Sequence, residues 1–436
     1  MKYITSISSS VSTMFTSLFC FTFLFSLIHA QTNDTQVVLD HVLKNINATF
    51  REPQGVLQFP YQVPAGPYNE LWDWDSMFIG ILTADLLNEP RYFVGSMMNF
   101  LANVNLTTGD IGGCLTPNGA TPTLYHAKPI LIQGSYLAAK ASNNYTQFFP
   151  YNQAMLALLQ YWESSLRKDS RTNLHQWYNQ LETGADNLVY SICPSAYSPE
   201  CWSDSDVYTL SSPDIEMFIM REYLAYANFL EKWNNNNNLH TTTTNDQIQY
   251  YRTKAQSISD NLDKYMFIWE SSNQGYYGGY NTSSQSIITN RTYQVAWPIW
   301  NPNGNITLQK AAIQSLLQSD LYCSYGIRST SSLDPRYAND NIINPYSEWR
   351  GPLWINVNTI LGYSLNRLGY KSVATELANN VVHVLAEDIR NSGVWHECYS
   401  TQNGTGLAAG GFLSWNTLGA TFQRNVQYNI DPFSLD

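Results

Sequence analysis

Five segments mix tryptophan with carboxylate, amide or guanidinium groups: residues 70–75, 176–187, 348–354, 394–399 and 412–416. Together they hold Trp72, Trp74, Trp177, Trp349, Trp354, Trp395 and Trp415. An indole joins a flat apolar face to a polar edge, so it can stack on a sugar ring while nearby carboxylates and amides take the hydroxyls. Glycoside hydrolysis needs two carboxyl groups in different protonation states. One is protonated and releases the leaving oxygen; the other is ionised and activates water or attacks. Asp186 and Glu397 have suitable neighbours. Asp186 follows Gly184, where backbone can approach a substrate, and Leu188 and Val189 supply apolar surroundings that raise a carboxyl pKa. Glu397 lies between Trp395 and Tyr399 and precedes a Gly-rich stretch. From spacing alone, a helix cap or a surface charge is the competing reading of each.

Helices must position these groups. Apolar residues recur at helical spacing most clearly over 213–233, where Ser212 is a candidate N-cap and Pro213 fits the first turn. Similar periodicity marks 34–49, 75–88, 90–104, 128–142, 150–168, 246–267, 307–320, 352–368, 371–387 and 413–424, with a further candidate at 293–300. Alternating strand patterns are scarce. The expectation is an all-α chain whose paired helices close one toroid over residues 31–436, with the Trp-bearing connections gathered at one end. Asn234–Asn238 and Thr241–Thr244 form a low-complexity stretch that cannot pack a core and is expected as a solvated loop.

Composition narrows the partners. Lys+Arg number 23 against 34 Asp+Glu, a net charge of −11, which disfavours nucleic acid and anionic membrane surfaces. Residues 1–30 have the form of a cleaved secretory signal: Lys2, an apolar run over Met14–Ile28, and Ala30 as a small residue for cleavage. That run is shorter than the roughly 20 residues of a membrane span. Eight N-x-S/T sequons, at Asn33, Asn47, Asn105, Asn144, Asn281, Asn290, Asn305 and Asn403, favour the same secretory route, so a secreted or endomembrane-lumen protein is expected. After signal removal the cysteines are Cys114, Cys193, Cys201, Cys323 and Cys398. Cys193 and Cys201 flank a short loop suited to a local disulfide, and the odd count leaves at least one thiol over. No cysteine or histidine spacing fits a metal site, and no cofactor is expected. His126 and His396 are expected as satisfied polar groups, His396 as a buttress for Glu397. Gly404-Thr-Gly-Leu-Ala-Ala409 matches a dinucleotide pattern, but no strand precedes it, and it is expected as a flexible loop after Glu397.

Taken in order, these segments resemble the signature stretches of trehalase-like (α/α)6-barrel glycosidases, nearest the mannosylglycerate hydrolase and processing α-glucosidase group, glycoside hydrolase family 63. Residues 71–78 (Leu-Trp-Asp-Trp-Asp-Ser-Met-Phe) resemble L-W-x-W-D-S-x-F, 182–187 resemble S-G-x-D-N, and 349–356 are close to W-R-G-P-V-W-I-N. Residues 396–399 and 412–415 resemble the late Glu followed by F-x-W. The resemblance spans about residues 34–424. It implies a single (α/α)6 domain and an inverting α-glycosidase acting on a small α-glucoside or α-mannoside. Asp186 would be the acid and Glu397 the base, about 6.5–9.5 Å apart. Trp72, Trp74 and Asp75 would hold the sugar. Arg350 would bind hydroxyls or a carboxylate on the leaving side, and Trp177, Trp354 and Trp415 would join the walls.

The chain departs from the group at three places. Leu188-Val189-Tyr190 stands where S-P-x-W is common, Lys128-Pro-Ile130 where Q-P-P is usual, and Cys398 in place of a tyrosine. Two other classes compete. A lyase or sugar epimerase on the same toroid would rely on His, Tyr or Arg for proton abstraction. A non-catalytic sugar-binding protein would keep the tryptophans without needing Asp186 or Glu397. Oligomeric state is not legible in the sequence.

Overall fold

The computed structural model describes residues 33–120, 126–178, 181–188, 210–235, 245–340 and 349–436. The signal segment 1–30, the Cys193–Cys201 pair and most of the Asn/Thr-rich stretch lie outside the described residues.

Each periodic segment forms a helix. They are α1 (33–45), α2 (Asp73–Leu87), α3 (Arg91–Ala102), α4 (Leu131–Ala141), α5 (Asn152–Trp162), α6 (Pro213–Asn235), α7 (Asn245–Met266), α8 (Ile306–Gln318), α9 (Ile355–Arg367), α10 (Lys371–Ser392) and α11 (Gly419–Tyr428). The candidate at 293–300 is a 3-10 helix, Tyr293–Trp300. The segment expected over 413–424 begins as a 3-10 turn, Ser414–Leu418, before α11.

Burial sorts these elements into two layers. In α7 the buried residues Ile248, Ala255, Ile258, Ser259, Leu262 and Met266 trace a single stripe, the mark of a helix covered on one side. In α4 residues 131–139 are all buried, and in α9 so are residues 355–366. Such helices are enclosed all round. The enclosed elements pack in succession, α2 on α4, α4 on α6, α6 on Tyr293–Trp300, that on α9, and α9 on Ser414–Leu418, which returns to α2. The circuit is closed. Close approach needs small residues in places: a Cβ on Gly362 of α9 would fall 2.4 Å from the Phe422 ring of α11.

Short strands accompany the helices, although alternating patterns are scarce in the sequence. Among the described residues the helices are joined by fourteen short strands, the longest five residues. Runs of two to five residues are too short to show an alternating pattern. The segment expected as a flexible loop is one of them: Gly406–Gly410 pairs antiparallel with His396–Tyr399.

Candidate active site

The elements of the circuit begin at a shared end, and the Trp-bearing connections meet there. Glu397 sits on the strand His396–Tyr399, opposite a β-bulge. His396 pairs with Gly410 and Cys398 with Leu407, so Ala408 and Ala409 together face Glu397. Ala408 has φ +63°, a left-handed conformation rare for alanine. The bulge turns the Ala409 N–H onto the Glu397 carboxylate, as bulges beside functional groups commonly re-aim a chain. Tyr68 Oη donates to Glu397 Oε2 at 3.1 Å. The neighbouring His396 points elsewhere: its Nδ1 lies 3.0 Å from both Asp388 oxygens, and its backbone N–H donates to Asp388 Oδ2. Asp388, on α10, therefore anchors this strand.

A second carboxylate pair opens α2. Asp73 and Asp75 lie in its first turn, where the helix dipole favours anions. Both are buried. Ser414 Oγ donates to Asp75 Oδ1 at 2.5 Å. Asp73 accepts the backbone N–H groups of Trp74 (2.6 Å) and Lys128 (2.8 Å), and its Oδ1 lies 3.4 Å from Lys128 Nζ.

The turn bearing Asp186 is fastened on both sides. Upstream, Glu182 is fully buried and accepts a bidentate pair from Arg167 (2.8 and 2.7 Å) and the Tyr178 N–H (2.5 Å). Gly184 has φ +72°, a conformation that suits glycine. Downstream, Asn187 Oδ1 accepts the Trp349 N–H and its carbonyl accepts Arg350 Nε, both at 2.7 Å. Asp186 itself is half-buried.

Aromatic rings cluster around these carboxylates. Trp74 meets Trp415 (5.6 Å between ring centroids) and Trp349 (6.3 Å), and Trp349 stacks on Trp354 at 3.9 Å and 6°. Trp415 donates its indole N–H to the Glu397 carbonyl. Tyr68 packs edge-on to Trp72. Tyr68, Trp72, Trp74 and Asp186 are half-buried, whereas Arg350, Trp349, Trp354 and Trp415 are buried behind them. Trp177 stands apart: it is fully buried, packs on Trp162 and donates its indole N–H to Ser212 Oγ before α6. Its place is in the core rather than among these rings. His126 is likewise internal, stacked on Tyr161 with its nitrogens facing the Ala127 and Gly109 carbonyls.

Crowding governs the acid–base properties. Burial, with the charges of Asp186 and Asp75, pushes Glu397 up to about 8, against the opposing bonds from Tyr68 and Ala409. Burial pushes Asp75 up to about 7, with Asp73 adding to the rise and Ser414 and Lys128 opposing it. Three carboxylates from three connections thus interact electrostatically. Among the described residues no group of three His, Cys, Asp or Glu could hold a metal ion.

Several groups here were not singled out in the sequence. Tyr68 lies four residues before Trp72, outside the Trp-rich segment. Asp388 lies outside those segments too, while Asn187 and Ser414 fall inside 176–187 and 412–416 without a role of their own being read there.

The glycoside hydrolase domain model described as mannosylglycerate hydrolase MGH1-like matches residues 68–415. The chain belongs to this family. The MGH1-like match includes Asp186 and Glu397 and each proposed wall residue. A probable mannosyl-oligosaccharide glucosidase of Schizosaccharomyces pombe is 32% identical over 111 residues, covering 23% of this chain and 13% of the relative. A probable trehalase of Saccharomyces cerevisiae is 21% identical, covering 86% of this chain and 53% of the relative. The MGH1-like chain thus spans about half, or less, of the length of these curated relatives. The mannosylglycerate hydrolase of Thermus thermophilus, a family 63 enzyme solved with Tris, shares the fold, with a TM-score of 0.64 at 15% identity over 89% of this chain and 99% of that one.

Proposed function

We propose that this protein is an inverting α-glycosidase on a six-hairpin (α/α)6 toroid, with Asp186 as general acid and Glu397 as general base. The observation that carries the reading is geometric: Tyr68 holds the buried Glu397 carboxylate and Ser414 holds Asp75, among the same cluster of tryptophans. A base works best with a proton affinity near the operating pH, and burial among carboxylates gives Glu397 that property. Asp186 would donate its proton to the glycosidic oxygen while Glu397 takes one from water on the opposite face of the sugar. Mutual repulsion favours a pair that shares one proton. Asp75, at the mouth of α2, would accept sugar hydroxyls between the rings of Trp72 and Trp74. Arg350 is held by Asn187 beside the acid, which suits the leaving-group side.

The substrate class is a small α-mannoside or α-glucoside, with mannosylglycerate the first candidate. The family model and the solved Thermus enzyme carry that name. Among the described residues no helix is long and apolar enough to cross a membrane. The signal-like residues 1–30 and the sequons support passage through the secretory route. The test is proton NMR of the glycosylated protein with mannosylglycerate, glucosylglycerate, trehalose, kojibiose and nigerose, beside Asp186→Asn and Glu397→Gln. Fresh β-anomer in the wild type only is expected. Fresh α-anomer would remove Glu397 from the role of base, and sugar binding without turnover would favour a non-catalytic protein.

A further inference from the structure

Lys128 is a buried cation, 4% exposed, on the connection entering α4. Asp73 holds it twice, through the backbone N–H at 2.8 Å and the ammonium at 3.4 Å. The ammonium lies 4.5 Å from the centroid of the half-buried Trp74 ring, within cation–π range. A Cβ built on Gly184 would fall 2.4 Å from Lys128 Cε and 2.7 Å from Trp74 Cη2. The lysine stem, the indole rim and the turn carrying Asp186 therefore meet with no space for a methyl group. Residues 71–75, 128–130 and 182–187, distant in sequence, converge on this one side chain.

We propose that Lys128 is a positioning residue of the site: it seats Trp74 against the Asp186 turn and supplies the positive charge that balances Asp73 and Asp75 beneath the bound sugar. This rests on the glycosidase reading of the cleft. A glutamine here could keep a hydrogen bond to Asp73 but not the charge. The charged and titratable groups acting on Asp75 come from every side: Asp73 from its own turn, Lys128 from the α4 connection, Glu397 from its strand and Tyr68 from the segment before α2, with the Ser414 hydroxyl bonded to it directly. Lys128 is the cation among them, and its charge draws the Asp75 carboxyl toward the ionised form.

The test follows the Asp75 carboxyl by carbon-13 NMR against pH, its resonance assigned with Asp75→Asn. In Lys128→Gln the titration is expected to move up by about one pH unit, the lower end of what a nearby opposite charge contributes. Lys128→Arg should titrate near the wild type. Lys128→Gln strands Asp73 without its cation and can fail to fold. The comparison of Asp73→Asn with Asp73→Asn/Lys128→Gln isolates the same charge with no anion stranded, and the same upward movement is expected. In the active enzyme, Lys128→Gln should raise KM and shift the acidic limb of kcat/KM to higher pH. A purely structural lysine would lower the melting temperature and leave both titrations where they were, which overturns the proposal. Absence of any wild-type turnover, with the Asp75 movement present, counts against the glycosidase reading and not against the charge balance.

Discussion

The side-chain oxygen of Asn187 accepts the backbone N–H of Trp349 at 2.7 Å, and so fixes the residue next to the proposed acid onto the aromatic wall. The Asn187 carbonyl takes Arg350 Nε in the same contact region. The turn bearing Asp186 and the loop bearing Trp349 and Arg350 are therefore tied at two points. Asn187→Ala should lower kcat roughly 10–100-fold, since misplacement of a catalytic group by about 1 Å costs on that order. KM should change less. Initial rates with circular dichroism as a check on folding decide this, and an unchanged kcat would show that the contact does not position Asp186.

Tyr68→Phe removes the hydroxyl that donates to Glu397. That bond stabilises the ionised carboxylate, so its loss should raise the proton affinity of Glu397 further. The limb of kcat/KM that rises with pH should move to higher pH. A movement of one unit corresponds to about tenfold at a fixed pH below it. A pH–rate profile of the two proteins on the best substrate reads the displacement directly, and superimposable profiles would count against the role.

Stability should fall as pH rises from about 4.5 to about 8. Glu397, Asp75 and Glu222, pushed up to about 8, about 7 and about 7 by burial, bind protons more tightly folded than unfolded. Their contribution is fully present below the unfolded carboxyl range and is lost as pH passes through the folded values. Glu397→Gln should be more stable than the wild type at pH 8, on the order of a few kcal/mol at most, and should show little difference at pH 4. Chemical denaturation at both pH values measures the difference, and equal stabilities at pH 8 would contradict it.

Glu182→Gln should be costly without touching substrate. Arg167 and Glu182 are both buried, and neutralising one leaves the other's charge uncompensated. Breaking such a pair costs about 3–5 kcal/mol. A fall in melting temperature together with a lower kcat is expected, because Glu182 also begins the turn that carries Asp186. A stable Glu182→Gln with normal kcat would show that the turn is held by Asn187 alone.

The helices were legible in the sequence because a helix buried on one face must repeat its apolar residues every three or four positions. α7 and α10 show this plainly. The two candidate carboxylates and the tryptophans around them could be picked out along the chain because sugar chemistry restricts residue types and their order. The strand under Glu397 was not: its few paired residues show no alternation, and the bulge at Ala408 depends on a partner strand. Tyr68 and Ser414 were also silent. Each acts on a carboxylate more than 300 positions away, and only closure of the circuit brings them within hydrogen-bond reach. The reverse holds for Trp177, whose composition suits a sugar wall while packing on Trp162 and a bond to Ser212 commit it to the core. Residue chemistry is local and can be read along the chain. Burial and charge coupling depend on which distant segments share a dry volume, and only the tertiary structure decides that.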